Sequence, residues 1–214
     1  MRRFTDLEMD ALSEAFNLAL GEAAATFAAI VREEIELSVP TIELLSRDEL
    51  IIRLEDTQPG GESGRLCRIN QHFEADVGFQ TDALLLFPEY GSLEIVRRML
   101  GDETPVEHIT ELEQDALGEI GNIIINSCMS CLANLLGTSL RGSLPRVQSH
   151  SPRDLLNDKP SSDVILVARI SMSMSAHNLR GFVLFIMDIP SIENFMAEIS
   201  RLFQLPTGQE APSP

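Results

Sequence analysis

The longest periodic stretch begins near Asp6 and runs into the Arg32–Glu36 region. Leu12, Ala15, Ala19, Ala23, Phe27 and Ile30 recur at steps of three and four, so the spacing predicts one long amphipathic helix. Thr5-x-x-Glu8 reads as the capping box that starts it. The pattern then shortens. Val39–Leu45 reads as a strand with Pro40 near its start, where a missing N–H costs least. Ile51–Leu54 reads as a second short strand, and the Pro/Gly-rich segment 59–64 as a loop. Leu66–Phe73 and Val77–Phe87 form a candidate hairpin. Ser92–Leu100 reads as a helix stopped by Gly101.

After a polar connector, Asp102–Ile109, the same order returns. A capping box at Thr110-x-x-Glu113 opens a second long helix that extends to Leu136 and stops at Gly137. A strand is expected over Leu144–Val147, a loop over 151–163, and a hairpin from Val164–Met174 and Leu179–Met187. A closing helix follows over Ser191–Phe203. The polar, proline-containing tail 206–214 is expected to be disordered.

The return is a matter of residues as well as order. Leu7–Asn17 aligns without gaps on Leu112–Asn122, with seven of eleven positions identical. Asp10, Glu14, Asn17 and Pro40 reappear 105 residues later as Asp115, Glu119, Asn122 and Pro145. An internal duplication is expected, with repeats at about 5–101 and 110–203 inside one domain spanning 1–205. Neither half covers its own apolar faces. The expected fold is therefore α/β in the broad sense (α+β), a single domain of pseudo-two-fold symmetry. Its two hairpins merge into one sheet, and the two long helices pack over it.

Composition narrows the function. The chain has 214 residues, 44% hydrophobic and 23% charged, with a formal charge of −17. Residues 1–105 hold 9 basic and 21 acidic side chains, and 106–214 hold 7 and 12. With no basic run in either half, nucleic acid and anionic membrane are poor partners. No apolar run is read as reaching membrane-spanning length, and the charged opening MRRFTDLEMD lacks a secretory core, so a cytoplasmic location is expected. Cys67, Cys128 and Cys131 make an odd count. Cys128-x-x-Cys131 has no second pair or nearby histidine to complete a zinc set, so these read as core cysteines. His72, His108, His150 and His177 are scattered, and no metal site is expected.

The chemistry lies in the doubled polar pattern. Positions i, i+4 and i+7 share one helix face, so each copy projects two carboxylates and an amide together. Taken singly, such a stripe is a solvated surface, and Asp10 gains from the helix dipole near the N-terminus. Yet like charges at i, i+4 are mildly unfavourable, and asparagine is a weak helix former. Making the same choices twice points to use. Neither copy contains a nucleophile with a histidine partner. A glutamate can act as a base or dock onto a lysine, and an asparagine amide can orient water. The rest of such a site has to arrive with the substrate.

The spacing Asp-x3-Glu-x2-Asn-x22-Pro, met twice, resembles the signature of the CheC/CheX/FliY family of bacterial chemotaxis phosphatases. The two-site form without extensions resembles the CheC type, and the likeness covers essentially the whole chain. It implies hydrolysis of the aspartyl phosphate of a CheY-type response regulator. It implies that Glu14 or Glu119 pairs with the regulator's lysine, while Asn17 or Asn122 positions the attacking water. Asp10 and Asp115 would support helix geometry or docking, and Pro40 and Pro145 would shape the backbone behind each helix. No cofactor of its own is implied; Mg²⁺ is expected in the regulator. The alternative is a non-catalytic module that regulates the receptor deamidase CheD, or a scaffold like the flagellar switch protein FliM.

Overall fold

The computed structural model describes residues 4–31, 34–38, 40–56, 65–100, 111–151, 154, 165–174 and 179–205. The first long helix, α1, spans Asp6–Val31. Its capping box is formed: Thr5 N–H donates to Glu8 Oε2 at 2.8 Å, and Glu8 N–H donates to Thr5 Oγ1 at 3.2 Å. The second, α4, spans Glu111–Leu136 and ends at Gly137, whose φ of 63° is the left-handed conformation that glycine adopts without a Cβ penalty. The expected box partner Thr110, the connector 102–109, most of the loop 151–163 and the tail 206–214 lie outside the described residues.

Between the helices the chain runs β1 (Ile35–Leu37), β2 (Thr41–Leu45), α2 (Arg47–Asp56), β3 (Leu66–Ala75), β4 (Gln80–Pro88) and α3 (Glu89–Leu100). After α4 come β5 (Leu140–Gly142), β6 (Arg146–His150), β7 (Ile165–Met174), β8 (Leu179–Met187) and α5 (Ile189–Leu202).

Ile51–Leu54 is not a strand but part of α2. The deciding signal is Ser46-x-x-Glu49, a third capping box: Ser46 N–H donates to Glu49 Oε2 at 2.7 Å, and Glu49 N–H donates to Ser46 Oγ at 3.3 Å. Leu50 and Leu54, one turn apart, are both buried. The first helix, expected to reach the Arg32–Glu36 region, is Asp6–Val31, and Ile35–Leu37 is the strand β1. Strands β1 and β5, of three residues each, carry too little alternation to be read by periodicity. Residues 76–79 form the turn between β3 and β4, with Gly78 at φ 89°.

The eight strands among the described residues form one antiparallel sheet in the order β1-β7-β8-β4-β3-β5, with β2 also on β7 and β6 also on β3. The hairpins meet through β4 and β8, where Leu84 faces Leu184. Each half's short strands pair with the other half's hairpin: Thr41 faces Arg169, and Arg146 faces Asn70. The spacing between corresponding elements is regular. Asp6 to Glu111, Ile35 to Leu140 and Thr41 to Arg146 are 105 apart; Leu66 to Ile165 and Gln80 to Leu179 are 99 apart.

Helices α1, α3, α4 and α5 cover one face of the sheet, and α2 packs on the other. Along β3, Cys67, Ile69, Phe73 and Ala75 point into the main core, while Leu66 joins Leu45, Leu50, Leu54, Leu84 and Leu86 beneath α2. By length and mean hydropathy α4 does reach membrane-spanning values, contrary to the sequence expectation. Its apolarity follows from its position, with Leu117, Ile120, Ile124, Cys128 and Leu132 buried in the core.

The two long helices approach the sheet differently. A Cβ at Gly121 would overlap the Ile69 side chain, so α4 lies against β3 at a distance only glycine permits. The corresponding position of α1 is Phe16, fully buried and stacked on Phe185 at 4.8 Å. A ring therefore holds α1 off the strands where α4 rests on them. Gly21, by contrast, faces open space.

Cys67 and Cys128 are buried, whereas Cys131 is partly exposed. Burial pushes the Cys67 thiol up to about 11, against the opposing effect of a Ser92 hydrogen bond, and it pushes Cys128 up as well.

Two predictions follow from this packing. Gly21→Ala replaces a helix-interior glycine in open space and should stabilise by about 0.5–1 kcal/mol, while Gly121→Ala should destabilise by about 1–3 kcal/mol through overlap with Ile69. Urea midpoints of the two variants should move in opposite directions. The thiols set a pH dependence with a definite sign. Their folded values lie above the unfolded value of 9.0, so their contribution is whole below pH 9 and is lost as pH rises toward 11. Urea midpoints should fall across that window, and less steeply in Cys67→Ala/Cys128→Ala.

Candidate functional site

Both polar stripes lie on the N-terminal halves of the long helices. Asp10, Glu14 and Asn17 are exposed on α1, with Leu12, Ala15 and Phe16 buried on the opposite side. Asp115 and Glu119 are exposed on α4, and Asn122 is half-buried. The helices pack antiparallel: Cys131 Sγ donates to Leu18 O at 3.8 Å, and the hydroxyls of Thr26 and Ser127 lie 3.3 Å apart. The stripes therefore sit toward opposite ends of the helix pair, leaving room for a separate partner at each. Pro40 and Pro145 occupy matching places immediately before β2 and β6. Pro40 is buried and Pro145 half-buried. Beneath α4, Val147 of β6 lies 3.5 Å from where a Cβ on Gly118 would be.

The second stripe has a supporting network that the sequence pattern did not reveal. Because Gly121 lets α4 down onto Ile69, Asn122 reaches Gln71, two residues along the same face of β3. Gln71 Nε2 donates to Asn122 Oδ1 at 3.2 Å and to Ser143 O at 3.0 Å. Asn126, one turn on, donates from Nδ2 to both Asn122 Oδ1 and Asn122 O, each at 2.7 Å. Ser143, two residues before Pro145, is itself tied to β3: its N–H donates to His72 O at 2.8 Å, and His72 N–H donates to Ser143 Oγ at 3.0 Å.

The network costs stability. Gln71 is 1% exposed, and its Oε1 is buried without a hydrogen-bond partner among the described residues. Such an orphan costs about 1–3 kcal/mol. The first stripe has nothing comparable. Asn17 is exposed and makes no side-chain hydrogen bond to another described residue, and the position one turn beyond it is Gly21.

Sequence reasoning thus found the stripes but missed Gln71, Asn126, Ser143 and Gly121. One signal was present: Gln71 is the lone polar residue on the inward face of β3, which otherwise carries Cys67, Ile69, Phe73 and Ala75. Among the described residues no group of three His, Cys, Asp or Glu is placed to hold a metal. The stripes can therefore offer carboxylates for docking and amides for hydrogen bonding to a substrate brought by another molecule.

No family model matches the chain. It is 29% identical over 143 residues to the CheY-P phosphatase CheC of Bacillus subtilis, a match spanning 65% of this chain and 65% of that relative's length. In fold it is similar to Thermotoga maritima FliY, with a TM-score of 0.72 and 22% identity over 94% of this chain and all of the other. It is also similar to the FliM middle domain from H. pylori, with a TM-score of 0.64 and 11% identity over 91% of this chain and 99% of the other. The chain is thus similar in sequence to CheC and shares the fold of FliY and the FliM middle domain.

Proposed function

We propose that the chain is a phosphatase acting on the aspartyl phosphate of a CheY-type response regulator, with one site on each long helix. The observation that carries this reading is the doubled stripe. The same carboxylate–carboxylate–amide spacing is presented on α1 and on α4, and the glutamate of each stripe faces solvent. A curated relative that is itself a CheY-P phosphatase supports it.

In this reading Glu14 or Glu119 pairs with a lysine of the regulator and sets the register of the complex. Asn17 or Asn122 enters the regulator's pocket. Asn122 Oδ1 is already engaged by two donors, so the Nδ2 hydrogens remain for the substrate. A donor there holds water through one lone pair and leaves the other aimed at phosphorus. Attack forms the new P–O bond as the aspartyl C–O–P linkage breaks at phosphorus; the electron pair returns to the regulator's carboxylate, and the water's protons leave with the released inorganic phosphate. The regulator supplies Mg²⁺ and the acidic pocket, while this chain supplies placement, which alone can lower a barrier by several kcal/mol. Asp10 and Asp115 shape the docking edge, and Pro40 and Pro145 set the strands behind the helices. The site of action is then the cytoplasm, where such regulators work.

A second reading, a non-catalytic scaffold, is favoured by the likeness to the FliM middle domain. Regulation of a CheD-type deamidase belongs with it, since neither role needs the amides.

The test is release of inorganic phosphate from a phosphorylated CheY-type regulator. Asn17→Ala and Asn122→Ala should each leave part of the activity, and the double variant should lose nearly all of it while still unfolding cooperatively in urea, at a midpoint lowered by loss of the Asn122 acceptor. Glu14→Ala/Glu119→Ala should raise KM by roughly 10–150-fold, the worth of about 1.5–3 kcal/mol for a hydrogen bond to a charged partner. Full activity in the double asparagine variant would overturn the phosphatase mechanism in favour of the scaffold.

A further inference from the structure

We propose that Gln71, assisted by Asn126, is the positioning residue of the second site, and that the two sites differ because the first has no counterpart. This rests on the phosphatase reading above and adds residues that the doubled pattern does not contain.

The argument starts from the cost of the side chain. Gln71 sits on a strand face otherwise given to Cys67, Ile69, Phe73 and Ala75, where an aliphatic residue would pack without an orphaned oxygen. What it gains there is a grip on Asn122. An amide oxygen has two lone pairs, and those of Asn122 Oδ1 are taken by Gln71 Nε2 at 3.2 Å and Asn126 Nδ2 at 2.7 Å. Rotating the Asn122 amide by half a turn would set its NH₂ against two NH₂ groups. Only one of its two orientations is therefore allowed, and in it Nδ2 has no partner among the described residues. The Ser143 carbonyl accepts the second hydrogen of Gln71 Nε2, so the grip is itself fixed to the segment that leads into Pro145.

Asn17 lacks all of this. The strand position 99 residues after Gln71 is Ile170, and the helix position 105 residues before Asn126 is Gly21. Phe16 keeps α1 away from the strands where Gly121 brings α4 against them. Asn17 has to be oriented by the regulator after docking, whereas Asn122 is oriented beforehand.

The experiment uses the full chain, a CheY-type regulator phosphorylated with acetyl phosphate and Mg²⁺, and single-site backgrounds. In Asn17→Ala, where the second site works alone, Gln71→Leu should lower kcat about ten-fold with little change in KM, since misplacement acts on the reacting geometry and not on docking. Its urea midpoint should hold or rise because the orphaned oxygen is gone. Asn126→Ala, on a half-exposed helix position, should lower kcat in the same direction without touching the core. In Asn122→Ala, Gln71→Leu has no amide left to orient and kcat should stay where it was. Gly21→Asn in that background should raise first-site kcat, because an added side chain there meets open space and supplies the missing donor. An unchanged kcat for both Gln71→Leu and Asn126→Ala in Asn17→Ala would overturn the proposal and leave the phosphatase reading intact. So would an equal loss from Gln71→Leu in both backgrounds, which marks a merely structural role. Full activity in Asn17→Ala/Asn122→Ala would bring down both.

Discussion

The fold depends on the pairing of β4 with β8. Each hairpin alone is two strands, too few to support a pair of 26-residue helices. Joined from Asp82–Ile186 to Leu86–Phe182, they make a four-stranded centre whose inward side chains, Ala83, Leu85, Val183 and Phe185 among them, are all buried. The short strands then extend that centre outward, each pair on the opposite half's hairpin. The long helices have a surface to lie on only after this seam is closed.

One position decides how each helix uses that surface. With glycine at 121, α4 rests on Ile69, and the asparagine beside it meets a strand side chain. With phenylalanine at 16, α1 stacks on Phe185 and packs tilted against Phe195, and the asparagine beside it meets solvent. Two helices of equal length and similar polar face thus acquire different surroundings from one substitution on the buried side. The aromatic choice favours core packing; the glycine choice favours reach.

Much of this was legible before any coordinates. Helical periodicity, caps at Thr5 and Gly137, and the two β-hairpins were readable because they are long or carry a local chemical signature. The stripes were readable because helix geometry turns a spacing directly into a face. The misreading of α2 has a definite cause: four apolar-rich residues, Ile51–Leu54, have no period of their own, and the Ser46–Glu49 box upstream carried the answer. Strands β1 and β5 exist through their partners β7 and β3, so nothing within three residues announces them. The Gln71–Asn122 contact was beyond reach for a related reason. It joins residues 51 apart through a helix-to-sheet distance that no local pattern encodes, and only the odd polar residue on an apolar strand face hinted at it.

The exchange of short strands between halves also bears on synthesis. Strand β2 emerges from the ribosome long before β7, its partner, with Leu45 opposite Ile165 across 120 residues of chain. At about 5–20 residues per second the wait is roughly 6–24 s, during which β2 and the outer edge of the first hairpin have no native neighbour. Long-range pairing of this kind delays folding and leaves strand edges open to other chains. The interlock that makes the finished sheet continuous therefore withholds the sheet until β7 and β8 have been made, and a chain cut short before β7 carries unpaired edges with no later strand to cover them.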